Sequence, residues 1–390
     1  MSHRLRAAVA VALTLVSFRA FAAFGVTTSS TKIGDVGEVY TAGYHGLVVD
    51  GGTLYAVHTR QLREYVSDAC GGASSDVAVL VTVSNNGGVT WGSSHLVAHG
   101  CNIDFDGAGI AIGPDPASGV RRLHVVWGDR GTVADPSMKI SYASATLPGL
   151  AFGAPVTISA PADSGSATPA TWSAAVAADG IGGVHVTYIG AGGTTYSRSP
   201  DAGATWPETG TLVVPNGNQV ALSADAAGNV LIAYSELGSV YVTKRAANGT
   251  WGNPIAVNGA APPGGYVSVV SGARGTFVAW FAASGSMGVY VASSSDGTTW
   301  SEMLVIPGST LFDPSIAVDA NGVPGVACTA GLTSISYARA QLDRKGNMSW
   351  GAPVTVLTGS SIYFANLAFD AAGKALIMYE TDAIRFTREP

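Results

Sequence analysis

The chain has 390 residues, of which 12% are charged, 47% hydrophobic and 51 glycine, with a formal net charge of −6. So few charges exclude disorder, a coiled coil and a helix-rich enzyme built on Glu, Lys and Leu. The acidic balance excludes a nucleic-acid partner, because phosphate binding needs a clustered basic face and none is visible.

The first element is an address label. Arg4 and Arg6 precede the apolar run from Ala7 to Phe18, and Ala20-Phe21-Ala22 forms a small-x-small cleavage site. That order predicts a signal peptide over 1–22, cut after Ala22, with 23–390 as a single domain. No later run approaches the ~18 apolar residues of a membrane helix, so the expectation is a secreted or periplasmic protein without a membrane span. Export permits disulfides. Cys70 and Cys101 lie in Gly-rich, loop-like sequence and are expected to pair, whereas Cys328 in GVPGVAC is expected to be a buried thiol.

Beyond the leader the chain repeats. Ser84 to Trp91 reads SNNGGVTW, Ser199 to Trp206 reads SPDAGATW, and Ser293 to Trp300 reads SSSDGTTW. Weaker copies end at Trp251 and Trp350, and Phe152 takes the aromatic place in another, which gives a period near 50. Between these boxes come an apolar strand, an Asp, a Gly a few residues on, and a second apolar strand. Asp50, Asp115, Asp179, Asp225, Asp319 and Asp370 mark this turn, and Ser271-Gly272 fill the place that lacks the Asp. One unit, from QVALSAD through NVLIAYSE and SVYVTKR to NPIAV, predicts four short antiparallel strands. In the box, Ser and Asp or Asn can bond their own turn backbone, Gly takes a positive φ, and Trp packs between sheets.

These boxes resemble the Asp-box, or bacterial neuraminidase, repeat S-x-D-x-G-x-T-W of sialidase-like proteins, and the resemblance covers essentially the whole mature chain. It implies an all-β propeller in which each box joins the third and fourth strands of a blade. Seven first strands predict seven four-stranded blades, with six as the alternative. The last unit, ending in IRFTREP, holds three strands. Its fourth is expected from Ser30 to Asp35, which would close the ring and remove an open edge.

Both kinds of turn fall on one face, so the opposite face, the mouth, is built from loops entering first strands and leaving second strands. Candidate residues there are His45, Arg60, Arg63, Asp129, Arg130, Trp172, Tyr266, Tyr363 and Glu380 as ligand contacts. Asp104, Asp106, Asp313 and Glu236 are candidate catalytic carboxylates. Aromatic faces and carboxylates are the chemistry of a sugar site. The same acids could hold Ca²⁺ instead; no other cofactor is implied and no zinc spacing is present.

The resemblance also implies a test. Sialidases bind the substrate carboxylate with three arginines spread around the ring. Here Arg60, Arg63 and Arg130 are the ones that reach the mouth, all from blades 1 and 2, and Asp313 stands where a late Arg is wanted. A Tyr nucleophile beside a Glu has two nearest candidates, Tyr234 with Glu236 and Tyr379 with Glu380. The expected function is therefore an exported, monomeric propeller binding an extracellular glycan or protein partner. A sialidase-like exo-glycosidase and an assembly scaffold are the alternatives.

Overall fold

β-Branched and aromatic residues fill the predicted strands, and each run ends at a Gly or Asp turn, so consecutive runs fold back as antiparallel hairpins. The computed structural model describes residues 31–33, 40–41, 46–62, 76–101, 103, 108–129, 139–159, 174–190, 192–259 and 262–389. Seven sheets form seven blades. Their first strands are Leu47–Asp50, Gly109–Pro114, Ala175–Ala178, Asn218–Ala224, Pro263–Gly272, Leu311–Val318 and Tyr363–Phe369. Blade 3 shows the plan: Ala175–Ala178, Val184–Gly190, Gly193–Ser199 and Glu208–Pro215 pair in chain order.

The ring closes through the N-terminal strand. Thr31–Lys32 supplies the fourth strand of blade 7, with Thr31 opposite Phe386 and Lys32 opposite Arg385. The Ile33 amide continues the ladder to the Ile384 carbonyl at 2.8 Å. Two blades carry an extra piece: Tyr40–Thr41 pairs beside the second strand of blade 1, and Met348–Trp350 beside the third strand of blade 6.

The apolar core is a set of layers between neighbouring blades. Val57 and Val79 of blade 1 pack with Ile110 and Val125 of blade 2, and the same arrangement repeats round the ring. Box aromatics seal these layers edge-on. Trp91 meets Phe386 at 5.4 Å, Trp206 meets Tyr142 at 4.8 Å, and Trp251 meets Tyr196 at 5.2 Å, each ring reaching the third strand of the preceding blade. Near the axis, polar side chains stitch first strand to first strand. The Ser223 hydroxyl accepts from the Ser271 amide, Ser268 from Ile316, Ser315 from Leu367, and the Asn366 carbonyl from Gly46. Each bond satisfies a backbone donor that the sheet ladder leaves over.

The turns make local side-chain bonds. Asp179 accepts from the Ile181 and Gly183 amides, Asp225 from Ala227 and Asn229, and Asp370 from Ala372 and Lys374. In the boxes Ser84 accepts from Gly88 and Ser199 from Gly203, both at 2.9 Å. In the third copy the capping hydroxyl belongs to Ser294, not Ser293, accepting from Gly297 at 2.8 Å. Asp343 caps the corresponding turn of blade 6, accepting from Lys345 and Asn347.

Candidate functional site

All these turns lie on one face, and the mouth lies on the other. Four first strands break register as they enter from the mouth: between Asn218 and Ala221, Pro263 and Val267, Phe312 and Ser315, and Tyr363 and Asn366. A bulge re-aims the side chain at its corner. In blades 4, 6 and 7 the corner residue is left-handed without being glycine: Gln219 at φ 51°, Asp313 at 51° and Phe364 at 51°. Holding three such residues at matching places costs on the order of 1–3 kcal/mol each, which the surrounding sheet must over-determine.

Tyr266, Asp313, Phe364 and Asn366 converge on one small cavity of about 10 Å³ at the axis, room for one water rather than a sugar ring. Among the described residues this corner is a shallow platform. Tyr363 packs beside Phe364, their rings 6.3 Å apart, and lies opposite Glu380 in the sheet. Phe312, next to Asp313, is 42% exposed, and Leu237 at the tip of the blade 4 hairpin is 98% exposed, so apolar surface flanks the acids.

The two described acids expected to be catalytic sit on separate blades. Asp313 enters blade 6, and its charge adds to burial in pushing the Cys328 thiol up to about 12. Cys328 itself is buried and free, as expected. Glu236 ends the second strand of blade 4; burial and then its charge push the Tyr234 phenol up to about 12. Tyr234 and Tyr379 are both buried, so neither offers its phenol to a substrate. Asp129 ends the second strand of blade 2 at the mouth, and Arg60 lies two residues before the end of the second strand of blade 1, Thr53–Leu62.

His45, Arg63, Asp104, Asp106, Arg130, Trp172 and Cys70 lie outside the described residues. Cys101 is the last residue of the fourth strand of blade 1, opposite Asp76, and its side chain also lies outside. The Cys70–Cys101 pairing thus stays an expectation. Among the described residues no group of three His, Cys, Asp or Glu is placed to hold a metal ion. No described helix is long and apolar enough to cross a membrane.

Most described arginines work on the turn face. Arg121 bonds Asp50, Arg122 pairs with Asp115 at 3.6 Å, Arg245 with Glu208 at 3.0 Å, and Arg274 bonds the Asn321 carbonyl. On the mouth side Arg385 is taken by Asp382 at 2.8 Å. Sequence reasoning missed Gln219, Phe312 and Phe364, because a register shift leaves no mark in composition. Pro314 was the available signal, since a proline inside a first strand cannot donate to the ladder.

Solved structures share this architecture. A Hadza microbial sialidase, Hz136, is 12% identical with a TM-score of 0.51, covering 90% of this chain and 65% of that one, so the chain spans just under two thirds of its length. A leech intramolecular trans-sialidase complexed with 2,7-anhydro-Neu5Ac is 10% identical at 0.51, covering 94% and 70%. YCF48 bound to a D1 peptide is 12% identical at 0.51, covering 92% and 96%. No family model and no curated protein matches the chain. At these identities the likeness is one of fold alone: an all-β, seven-bladed propeller.

Proposed function

We propose that the chain is an exported Asp-box propeller whose mouth binds an extracellular glycan without cleaving it. The observation that carries this reading is the platform on blades 5 to 7, where the left-handed corners place Asp313 and Phe364 beside Tyr266. Rings take the apolar face of a pyranose, and carboxylates and amides take its hydroxyls. Two further points support binding over hydrolysis. The described arginines make a poor ring-spread clamp, and the tyrosines with acidic neighbours are buried. The sialidases among the structural neighbours are consistent with a sugar ligand, as the N-terminal leader is with export.

The test uses the purified mature chain on a glycan array, beside a panel of chromogenic glycosides that includes a sialoside. Asn tolerates the left-handed backbone at position 313, so Asp313→Asn removes the charge and keeps the corner. It is expected to weaken glycan binding at least about tenfold, the loss of one charge-assisted hydrogen bond, with an unchanged melting temperature. Turnover that Asp313→Asn abolishes would make the protein a glycosidase. Silence on both arms would move the ligand to the protein class.

A further inference from the structure

The seams between neighbouring blades are closed by a shared device. At six of them the box aromatic of the following blade packs back against the third strand of the blade before it. Trp91 meets Phe386, Trp206 meets Tyr142 and Trp251 meets Tyr196, each edge-on. Phe152, Trp300 and Trp350 join the layers that hold Val81, Val242 and Val291. Tyr337 holds the equivalent place in blade 6. It stands two residues before Arg339, whose carbonyl accepts from Gly351, as Tyr142 stands two before Ser144, which accepts from Gly153.

Ring closure changes the pattern between blades 6 and 7. Blade 7 takes its third and fourth strands from opposite ends of the chain, so no box turn joins them. At this seam lies a cavity of about 690 Å³, with Tyr337 and Val354 of blade 6 and Gly373 and Lys374 of blade 7 in its lining. That volume falls within the ~300–1,000 Å³ of small-molecule sites.

The charges around the cavity are unequal. Arg339 takes both carboxylates of the lining, Asp319 at 2.6 Å and Glu389 at 3.7 Å. Each carboxylate is also held by backbone amides, Asp319 by Asn321 and Val323, and Glu389 by Ala375. Arg339 in turn bonds the Gly373 carbonyl and lies over the Phe369 ring at 4.8 Å, so this cluster forms a fixed wall. Two further cations border the same cavity: Arg274, from the turn of blade 5, and Lys374, both exposed. Three cations against two carboxylates leave the lining one positive charge in excess, in a chain whose formal net charge is −6.

We propose that the seam between blades 6 and 7 is a binding pocket for a small aromatic carboxylate. Its ring lies in the cavity beside Tyr337, in the place that box aromatics take at the other seams, and its carboxylate accepts from Arg274 and Lys374 at the rim. Ring packing supplies the fit, and the two cations supply charge-assisted hydrogen bonds. The pocket opens on the face opposite the mouth, so its ligand does not compete with the glycan.

The test titrates the purified mature chain with indole-3-acetate and with uncharged indole, followed by amide chemical shifts. Indole-3-acetate is expected to bind with a Kd below about 1 mM. It should shift the Gly351 and Gly373 amides at this seam and leave those of Gly92 and Gly252, beside Trp91 and Trp251, unmoved. Arg274→Gln combined with Lys374→Gln, both on exposed side chains, should weaken indole-3-acetate about fivefold and leave indole unchanged. Tyr337→Leu should weaken both probes by about two- to tenfold. Unmoved Gly351 and Gly373 amides in the wild type overturn the proposal, as does an indole-3-acetate affinity that ignores the double substitution. Equal shifts at Gly92 and Gly252 overturn it too, because binding would then follow apolar surface in general rather than this seam. If Tyr337→Leu fails to fold, the wild-type shift map and the double variant decide the matter.

Discussion

The two faces of the propeller are built by different rules. On the turn face the stabilising bonds are local. An Asp or Ser side chain accepts from amides two to four residues on, as Asp225 does from Ala227 and Asn229, so each turn specifies itself and the pattern recurs with the chain's period. On the mouth face the defining features are register shifts between strands and left-handed corners at Gln219, Asp313 and Phe364. Those positions are held by contacts far away in sequence, such as the Asn366 side chain with Gly46. One face repeats because it closes the fold, and the other varies because nothing local fixes it.

The sharpest way to break this contrast is to remove apolar side chains from each face. Trp206→Ala takes a ring from the layer shared with Tyr142 and should cost about 3–5 kcal/mol. Leu237→Ala, on the mouth hairpin at 98% exposure, should stay within about 0.5 kcal/mol. Denaturant unfolding of both variants reads the difference, and equal costs would show that the mouth is packed as tightly as the turn face. A second pair separates close approach from conformational preference. Gly88 has φ 85°, and a methyl there would collide with the Phe386 ring, so Gly88→Ala should cost roughly 3 kcal/mol. Gly119 has φ 70° with open space around it, so Gly119→Ala should cost only about 1 kcal/mol of backbone strain.

The same division explains what could be read without coordinates. Seven blades, the two turn types and the closing strand at Thr31–Lys32 were legible, because box and Asp turns carry their hydrogen-bond partners inside a few residues of sequence. The candidate site was legible in outline. Asp313 and Tyr266 meet at one cavity as two of the expected mouth residues, yet Phe364, which completes it, has no sequence signature beyond being apolar. Residue type could not reveal that Tyr234 and Tyr379 point into the core, because burial depends on the partner blade. Nor could it separate Ser294 from Ser293 as the capping hydroxyl, since one residue of register decides which side chain faces the turn.

The dependence of stability on pH probes the interior between the faces. His58 is held down to about 4 by burial, and His124 to about 3 by burial first and then by the charges of Arg122 and Arg121. His185 is also lowered by burial, against the opposing pull of Asp179 at 3.0 Å. Burial pushes the Asp179 carboxyl up, but the His185 bond and the Ile181 and Gly183 amides outweigh it and hold it below the ordinary carboxylate range. All three histidines have folded pKa values below the unfolded value, so the folded state resists a proton that the unfolded state accepts. Their contribution is complete above about pH 6.5 and is lost as pH falls towards 4. Each fully buried histidine steepens the loss by about 1.4 kcal/mol per pH unit in that window. The depressed aspartates act only lower, Asp382 on the mouth hairpin of blade 7 for example titrating at about 2 in its contact with Arg385. His124→Gln keeps a group able to bond the Tyr142 hydroxyl, now 2.7 Å from Nδ1, while removing the titration. Urea unfolding at pH 7, 6, 5 and 4 should show the variant losing stability more gently than the wild type by that one increment. An unchanged slope would mean that His124 takes up its proton inside the folded blade, and that the layer between the two faces is more open to water than its packing implies.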